Sequence, residues 1–229
     1  SSYDEVVMVI APLGLREQRN PAVAQRDHLQ SFDLERIHHV IENDGTKEDL
    51  LKISNALASE GTVAYLATTM TQSVENITKA LSAIKDYVEE GVKEGAQILG
   101  VHLEGPFISL KHIGAQPLEY VAKPSVEVFE MYQKASGNNI KLVSLAVEEE
   151  GALELVEHLA KTGVVASVGH TDATADAIQK AIQKGLKNVT HTYNAMKPLH
   201  HREIGTVGSA LLYNELNCEL ICDGIHVSI

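Results

Sequence analysis

From residue 44 onward, short apolar runs alternate with stretches in which apolar residues recur every three or four positions. The runs predict strands at Val63–Ala67, at Ile98–Glu104, at Ile140–Ala146, at Val164–His170, at Asn188–His191 and at Cys218–Cys222. The helical periodicity predicts helices between them. Leu50, Leu51, Ile53, Ala56 and Leu57 make one apolar face that ends at Gly61, and Ile77, Leu81, Ile84 and Val88 make another after a capping Ser73. Further helices are expected over Ser125–Ala135, Gly151–Thr162 and Ala173–Lys184, with a short apolar one over Gly208–Tyr213. Strands that are apolar on both faces belong in a parallel sheet covered by helices. Six strand-then-loop units with chemically useful residues at most of their tips predict an α/β (β/α)₈ barrel, whose sites are built from the loops that follow the strands. The runner-up is a doubly wound open sheet, which collects ligands at one crevice.

Residues 1–43 do not follow this grammar and form a separate, unassigned segment; the barrel region is 44–229. A weak helical pattern over Leu29–Ile41 would put His38 and His39 about 100° apart on a helix, which favours a surface or capping role over metal ligation. At 229 residues the chain is near the lower limit of about 200 for a whole barrel, so one domain, whole or lacking its last strand, is the expectation. Lys plus Arg number 19 against 31 for Asp plus Glu, and the net charge of −12 opposes nucleic acid or an anionic membrane as partner. An anionic substrate would need a local basic pocket. Cys218 and Cys222 read as free thiols in the core rather than as ligands, consistent with a reducing compartment. The apolar stretch Val6–Leu15 is too short to span a bilayer and is interrupted by Pro12, so a cytoplasmic protein is expected.

Three strand ends carry metal-binding chemistry. Glu104 closes the 98–104 strand before a Gly-Pro turn, His170 closes the 164–170 strand, and His191 closes the 188–191 strand. A histidine at one strand end is usually structural. One carboxylate and two imidazoles at three barrel tips instead suggest a three-ligand hydrolytic metal site with a position left open for water.

The motifs Val-His-Leu-Glu-Gly-Pro-Phe (101–107), Gly-Ala-Gln-Pro (114–117), Ser-Val-Gly-His-Thr-Asp-Ala (167–173), Thr-His-Thr-Tyr-Asn-Ala-Met (190–196), His-Arg-Glu-Ile-Gly (201–205) and Ile-Cys-Asp-Gly-Ile-His (221–226) occur in order. Together they resemble the N-acetylglucosamine-6-phosphate deacetylase family of the amidohydrolase superfamily, over about residues 43–227. The resemblance implies that Glu104, His170 and His191 bind one divalent metal, zinc or iron, that activates a water; a second metal stays open, although no His-x-His ends a first strand here. It implies that Ala115, Gln116, Asn194, Ala195, Arg202 and His226 contact an amino sugar phosphate, and that Arg202 supplies the phosphate's cation, in a homodimer where it could serve the neighbouring site. It also implies a catalytic aspartate at the end of the eighth barrel strand and a small β-sandwich. Neither is recognisable in residues 1–229, so the aspartate is expected beyond Ile229. The implied reaction is hydrolysis of the acetamide of N-acetylglucosamine 6-phosphate. Another amidohydrolase activity, or a non-catalytic sugar-phosphate- or metal-binding chain, is the alternative.

Overall fold

The computed structural model describes the backbone of residues 6–10 and 37–42 and the whole of residues 46–223 and 225–228. Strands β1 (Val6–Ile10) and β2 (Ile37–Glu42) pair in parallel as a small sheet of their own. This corrects the helical expectation for the end of 29–41. The run Ile37-His-His-Val-Ile is rich in β-branched residues, and the ladder from Val6↔Ile37 to Ile10↔Glu42 overrides a weak local periodicity. His38 and His39 therefore lie on a strand; the rest of the 29–41 pattern and the turn at 44–45 lie outside the described residues.

The second sheet has six strands, β3 (Ala64–Thr69), β4 (Gln97–Glu104), β5 (Ile140–Leu145), β6 (Val165–Val168), β7 (Asn188–Val189) and β8 (Asn217–Cys218). Each pairs in parallel with the next, in sequence order. A doubly wound sheet reverses its strand order at a switch point, and this one does not. Strictly sequential parallel strands separated by helices are the arrangement of a (β/α)₈ barrel, and six of its strands are present.

The helices form where apolar periodicity and end signals coincide. Helix α1 (Lys47–Ser59) starts at a capping box, in which the Thr46 side chain accepts from the Asp49 N–H and the Asp49 carboxylate accepts from Thr46. Helix α2 (Val74–Glu89) starts at Ser73 and buries Ile77, Leu81, Ile84 and Tyr87. Helix α3 (Val126–Ala135) is capped by Ser125, and helix α4 (Ala152–Thr162) lies between two glycines and buries Leu155, Val156 and Leu159. Helix α5 (Ala175–Lys184) starts at Thr174, and helix α6 (Gly205–Leu212) begins three residues earlier than its apolar run suggested. None of these helices is long and apolar enough to cross a membrane.

The faces of α2, α4 and α5 meet the outward side chains of the sheet in one core that includes Leu81, Leu103, Phe107, Phe129, Val143, Leu155 and Ile178. Inside the sheet's curve the layer is polar. The Ser144 hydroxyl hydrogen-bonds both His102 Nε2 and Thr190 Oγ1 at 2.6 Å, and Thr190 in turn meets Ser167 at 2.6 Å. Ser144 and Ser167 are register partners on β5 and β6, which places their side chains in one layer. Burial pushes the His102 imidazole down to about 4, so it sits there neutral.

Two expectations about the last strand need correction. Cys218 and Cys222 are exposed rather than core residues, because β8 is the last strand of the sheet among the described residues. That strand is also shorter than 218–222, since β7 offers it only Asn188 and Val189 before turning away. Leu155, fully buried on α4, tests the core. Leu155→Ala is expected to cost about 2–5 kcal/mol in urea unfolding, through lost transfer energy and a residual cavity.

Candidate active site

The loops at the carboxyl ends of β4, β6 and β7 bring Glu104, His170 and His191 together. One ligand atom from each lies within 4.8 Å of the others. His170 Nε2 is 3.0 Å from Glu104 Oε1, His191 Nε2 is 3.7 Å from the same oxygen, and the two Nε2 atoms are 3.1 Å apart. Glu104 is the last residue of β4, as its sequence position predicts. The histidines are not strand-terminal. Each stands two residues beyond its strand, with φ of 48° at His170 and 33° at His191. Left-handed backbone is costly for a residue with a Cβ and concentrates at functional sites. Here it swings both rings back over the sheet's end.

Each imidazole is held by its other nitrogen. His170 Nδ1 lies 3.0 Å from the His112 carbonyl oxygen, and His191 Nδ1 lies 3.1 Å from that of Asn194. A carbonyl only accepts, so both Nδ1 atoms carry hydrogen, and in the neutral rings both Nε2 atoms present lone pairs. Two lone pairs and a carboxylate oxygen thus converge on one point, an arrangement that calls for a cation. Atoms about 2.0–2.2 Å from a tetrahedral ion lie roughly 3.3–3.6 Å from one another. The observed 3.0, 3.1 and 3.7 Å bracket that span, so the donor set fits a divalent metal. The electrostatics agree. Burial alone would raise the Glu104 pKa, but a proton on Nε2 of His170 or His191, standing where a cation would, hydrogen-bonds the carboxylate and holds it well below the usual range. Burial would also lower the His191 pKa, yet Glu104 beside it raises it above the ordinary imidazole value.

Of the residues expected to touch substrate, Gln116 is the most firmly placed. It is buried; its Oε1 accepts from the Thr71 N–H at 2.7 Å and its Nε2 donates to Glu104 Oε1 at 3.1 Å. In this structure it therefore braces the carboxylate. Gly114 and Ala195 approach each other across the His170 ring: a Cβ on Gly114 would lie 3.3 Å from His170 Cε1 and 3.6 Å from the Ala195 Cβ. Ala115 is exposed at this rim. The Asn194 Nδ2 is buried without a partner among the described residues.

Arg202 is exposed and makes no ion pair among the described residues; only its backbone N–H is engaged, by His200 Nδ1 at 3.2 Å. Its neighbour Glu203 fixes the loop by accepting from the Ala175 and Gly205 N–H groups at the starts of α5 and α6. His226 is not brought to the cluster. Its Nδ1 pairs with Asp223 at 2.5 Å on the exposed edge beyond β8. The expectation of a catalytic aspartate beyond Ile229 has no counterpart here, since Ile229 itself lies outside the described residues. Among the described residues, the metal-type cluster of Glu104, His170 and His191 contains no aspartate.

Sequence reasoning passed over Lys111, Glu148 and Lys197, which tie the site's loops together. The Lys111 ammonium beside Asp172, helped by Lys197 and His112 against some desolvation, holds the Asp172 carboxyl well below its usual range. The one available signal was the position of Asp172 two residues after His170.

The chain is similar to known proteins of one kind. Over 176 residues, covering 76% of this chain, it is 46% identical to the N-acetylglucosamine-6-phosphate deacetylase of Bacillus subtilis. The chain belongs to the N-acetylglucosamine-6-phosphate deacetylase family. The Vibrio furnissii enzyme of that name is 38% identical over 80% of the chain, and the N-acetylgalactosamine-6-phosphate deacetylase of Escherichia coli O157:H7 is 36% identical over 80%. Among solved structures, the Thermotoga maritima N-acetylglucosamine-6-phosphate deacetylase superposes with a TM-score of 0.73 at 38% identity, covering 84% of this chain and 51% of that one. An aspartate-to-alanine mutant of the Mycobacterium smegmatis deacetylase, in complex with N-acetyl-D-glucosamine-6-phosphate, superposes with a TM-score of 0.69 at 33% identity, covering 73% of this chain and 43% of that one. This chain spans less than half the length of the curated relatives it matches, for example 44% of the Bacillus deacetylase. No protein-family model matches it. Gln116 also offers a test of the site as built. Gln116→Leu leaves the buried Thr71 N–H without an acceptor, and about 1–3 kcal/mol of stability should disappear in urea unfolding.

Proposed function

We propose that this chain carries the metal and amino-sugar-phosphate site of a deacetylase that hydrolyses the acetamide of N-acetylglucosamine 6-phosphate to glucosamine 6-phosphate and acetate. The observation that carries the proposal is the convergence of Glu104 Oε1, His170 Nε2 and His191 Nε2 with both Nδ1–H groups tied to backbone carbonyls. Glu104, His170 and His191 hold one divalent ion, zinc or iron. When bound, such an ion lowers the pKa of water toward about 7 and polarises a carbonyl, which is what an amide needs for attack near neutral pH.

The protein's own groups then orient the substrate. Asn194 Nδ2, unpartnered and buried, is available to a sugar or acetamide oxygen, whose arrival would satisfy it. Ala115 and Ala195 line the rim beside His170, and Gln116 holds Glu104 in place. Arg202 binds the phosphate, because its planar fork donates two hydrogen bonds and keeps its charge throughout the working pH range. His226 joins the substrate contacts once the segment beyond β8 is packed in the assembled enzyme. The proton carrier is an aspartate at the end of a further strand, beyond Ile229. Neither Asp172, held by Lys111 and Lys197, nor Asp223, held by His226, is free for that work. A homodimer is part of the proposal: Leu211 and Leu212 are 69% and 61% exposed on α6, near the Arg202 loop.

The relative named for N-acetylgalactosamine 6-phosphate supports a second reading, with the C4 epimer as substrate. Acetate release from the two phosphorylated sugars, and from unphosphorylated N-acetylglucosamine, separates these readings; equal turnover of the unphosphorylated sugar would overturn both. For the metal, His170→Asn is expected to lower metal content in elemental analysis, and unchanged stoichiometry and affinity in Glu104→Gln, His170→Asn and His191→Asn would place the site elsewhere. For phosphate, Arg202→Ala should weaken binding by about 1.5–3 kcal/mol, the range for hydrogen bonds to a charged group. The loss should fall on the 6-phosphate substrate and spare the free sugar, as a competition titration would show.

A further inference from the structure

The three proposed ligands sit at the carboxyl ends of three different strands, and one side chain outside the ligand set joins the loops that follow all three. Asp172 follows His170 on the loop after β6. Its Oδ2 accepts from Lys111 Nζ at 2.7 Å, and its Oδ1 lies 3.3 Å from His112 Nε2 and 3.2 Å from Lys197 Nζ. Lys111 and His112 belong to the loop that follows Glu104, and Lys197 to the loop that follows His191. Lys197 also reaches the Asp172 carbonyl at 3.3 Å. We propose that Asp172 is a positioning residue that clamps the three ligand-bearing loops and so sets the orientation of the metal-binding imidazoles.

The path from the clamp to the ligand is short. His112, whose ring faces Asp172, supplies the carbonyl that takes the His170 Nδ1–H, and Ser109 in the same loop donates its N–H to the His170 carbonyl at 2.8 Å. His170 is thus gripped at its backbone and at its ring by residues 109–112. On the other side of the clamp, the Lys197 N–H donates to Thr171 O at 3.0 Å, and Thr171 N–H to Ala195 O at 3.2 Å. These join the His170 and His191 loops directly. Glu148, from the loop after β5, closes the arrangement by accepting from the Thr171 hydroxyl and the Asp172 N–H, both at 2.5 Å. The Lys111 ammonium is well exposed and an isolated pair with it would contribute little. Lys197 and Asp172 are both partly buried, and three donors on one carboxylate form a network with geometric consequence. The left-handed φ of 48° at His170 is a costly backbone state, which such a network of restraints helps to hold.

This inference rests on the ligand reading given above. Its test compares the intact protein with Asp172→Asn, which keeps the side chain's shape and removes its charge, and with Lys197→Met, which loosens the same clamp from the opposite loop. Zinc affinity is read by competition with a chelator and ligand geometry by the visible spectrum of the cobalt(II)-loaded protein, alongside the thermal midpoint of the metal-free form. His170→Asn serves as the reference. The expected result is a zinc affinity lowered by about tenfold or more in Asp172→Asn, the lower end of what outer partners of metal ligands contribute, with a changed cobalt spectrum and a smaller shift of the same kind in Lys197→Met. A general loss of stability would move the thermal midpoint and leave the spectrum of the folded fraction alone, which would overturn the proposal. Unchanged affinity and spectrum in both variants, with metal lost in His170→Asn, would also overturn it while the ligand reading stands. Metal retained in His170→Asn would overturn the ligand reading itself.

Discussion

Three lone pairs brought to one point in a site largely withdrawn from water are the constraint on which the rest of this architecture depends. Glu104, His170 and His191 would repel one another or trap a proton if nothing held them, since like-facing acceptors gain nothing from proximity. The fold supplies the restraint in layers. Parallel strands fix the starting points, left-handed turns aim the two rings, backbone carbonyls lock their tautomers, and Gln116 holds the carboxylate from the side. Each layer is inexpensive to form because the helices behind it bury an apolar core that keeps the strands in register.

The polar interior fits the same logic. A layer of serine and threonine hydroxyls joined to a neutral His102 lies directly under the ligand shell, and every hydroxyl in it finds a partner within the layer. Such a floor satisfies buried polar groups without competing for the ligands above. It also stiffens β4, β5, β6 and the turn after β7 against one another. The Asn194 Nδ2, unpartnered among the described residues, belongs to the residue whose carbonyl holds the His191 ring, where an incoming ligand could satisfy it.

The mixture of firmly built and open regions has a structural origin. Glu104, His170 and His191 lie at or just after the ends of β4, β6 and β7, each of which has a paired strand on both sides, and Gln116 comes from the loop that follows β4. Arg202, His226 and Cys222 belong to the last loops and Cys218 to β8, the two-residue strand that ends the sheet among the described residues, and their side chains meet little of the described chain. The difference in how completely each is formed comes from where the neighbouring strands are.

The amino-acid sequence by itself determined the kind of fold, because runs apolar on two faces and helices of regular period are local patterns, and sequential alternation leaves few topologies. It also displayed the candidate ligand types, since a carboxylate at the end of β4 and imidazoles after β6 and β7 are visible as letters. Helix starts at Thr46, Ser73, Ser125 and Thr174 were equally local, being hydroxyl caps within a few residues of the turn they satisfy. What the sequence could not decide was non-local. The strand at Ile37–Glu42 exists through its pairing with Val6–Ile10, against its own helical tendency. The position of Gln116 beside Glu104 depends on Thr71 arriving from another loop. The role of Asp172 depends on two lysines separated from it by 61 and 25 residues. Contacts of that separation leave no periodicity in the chain, because they are set by the order in which a curled sheet brings its loops to one end.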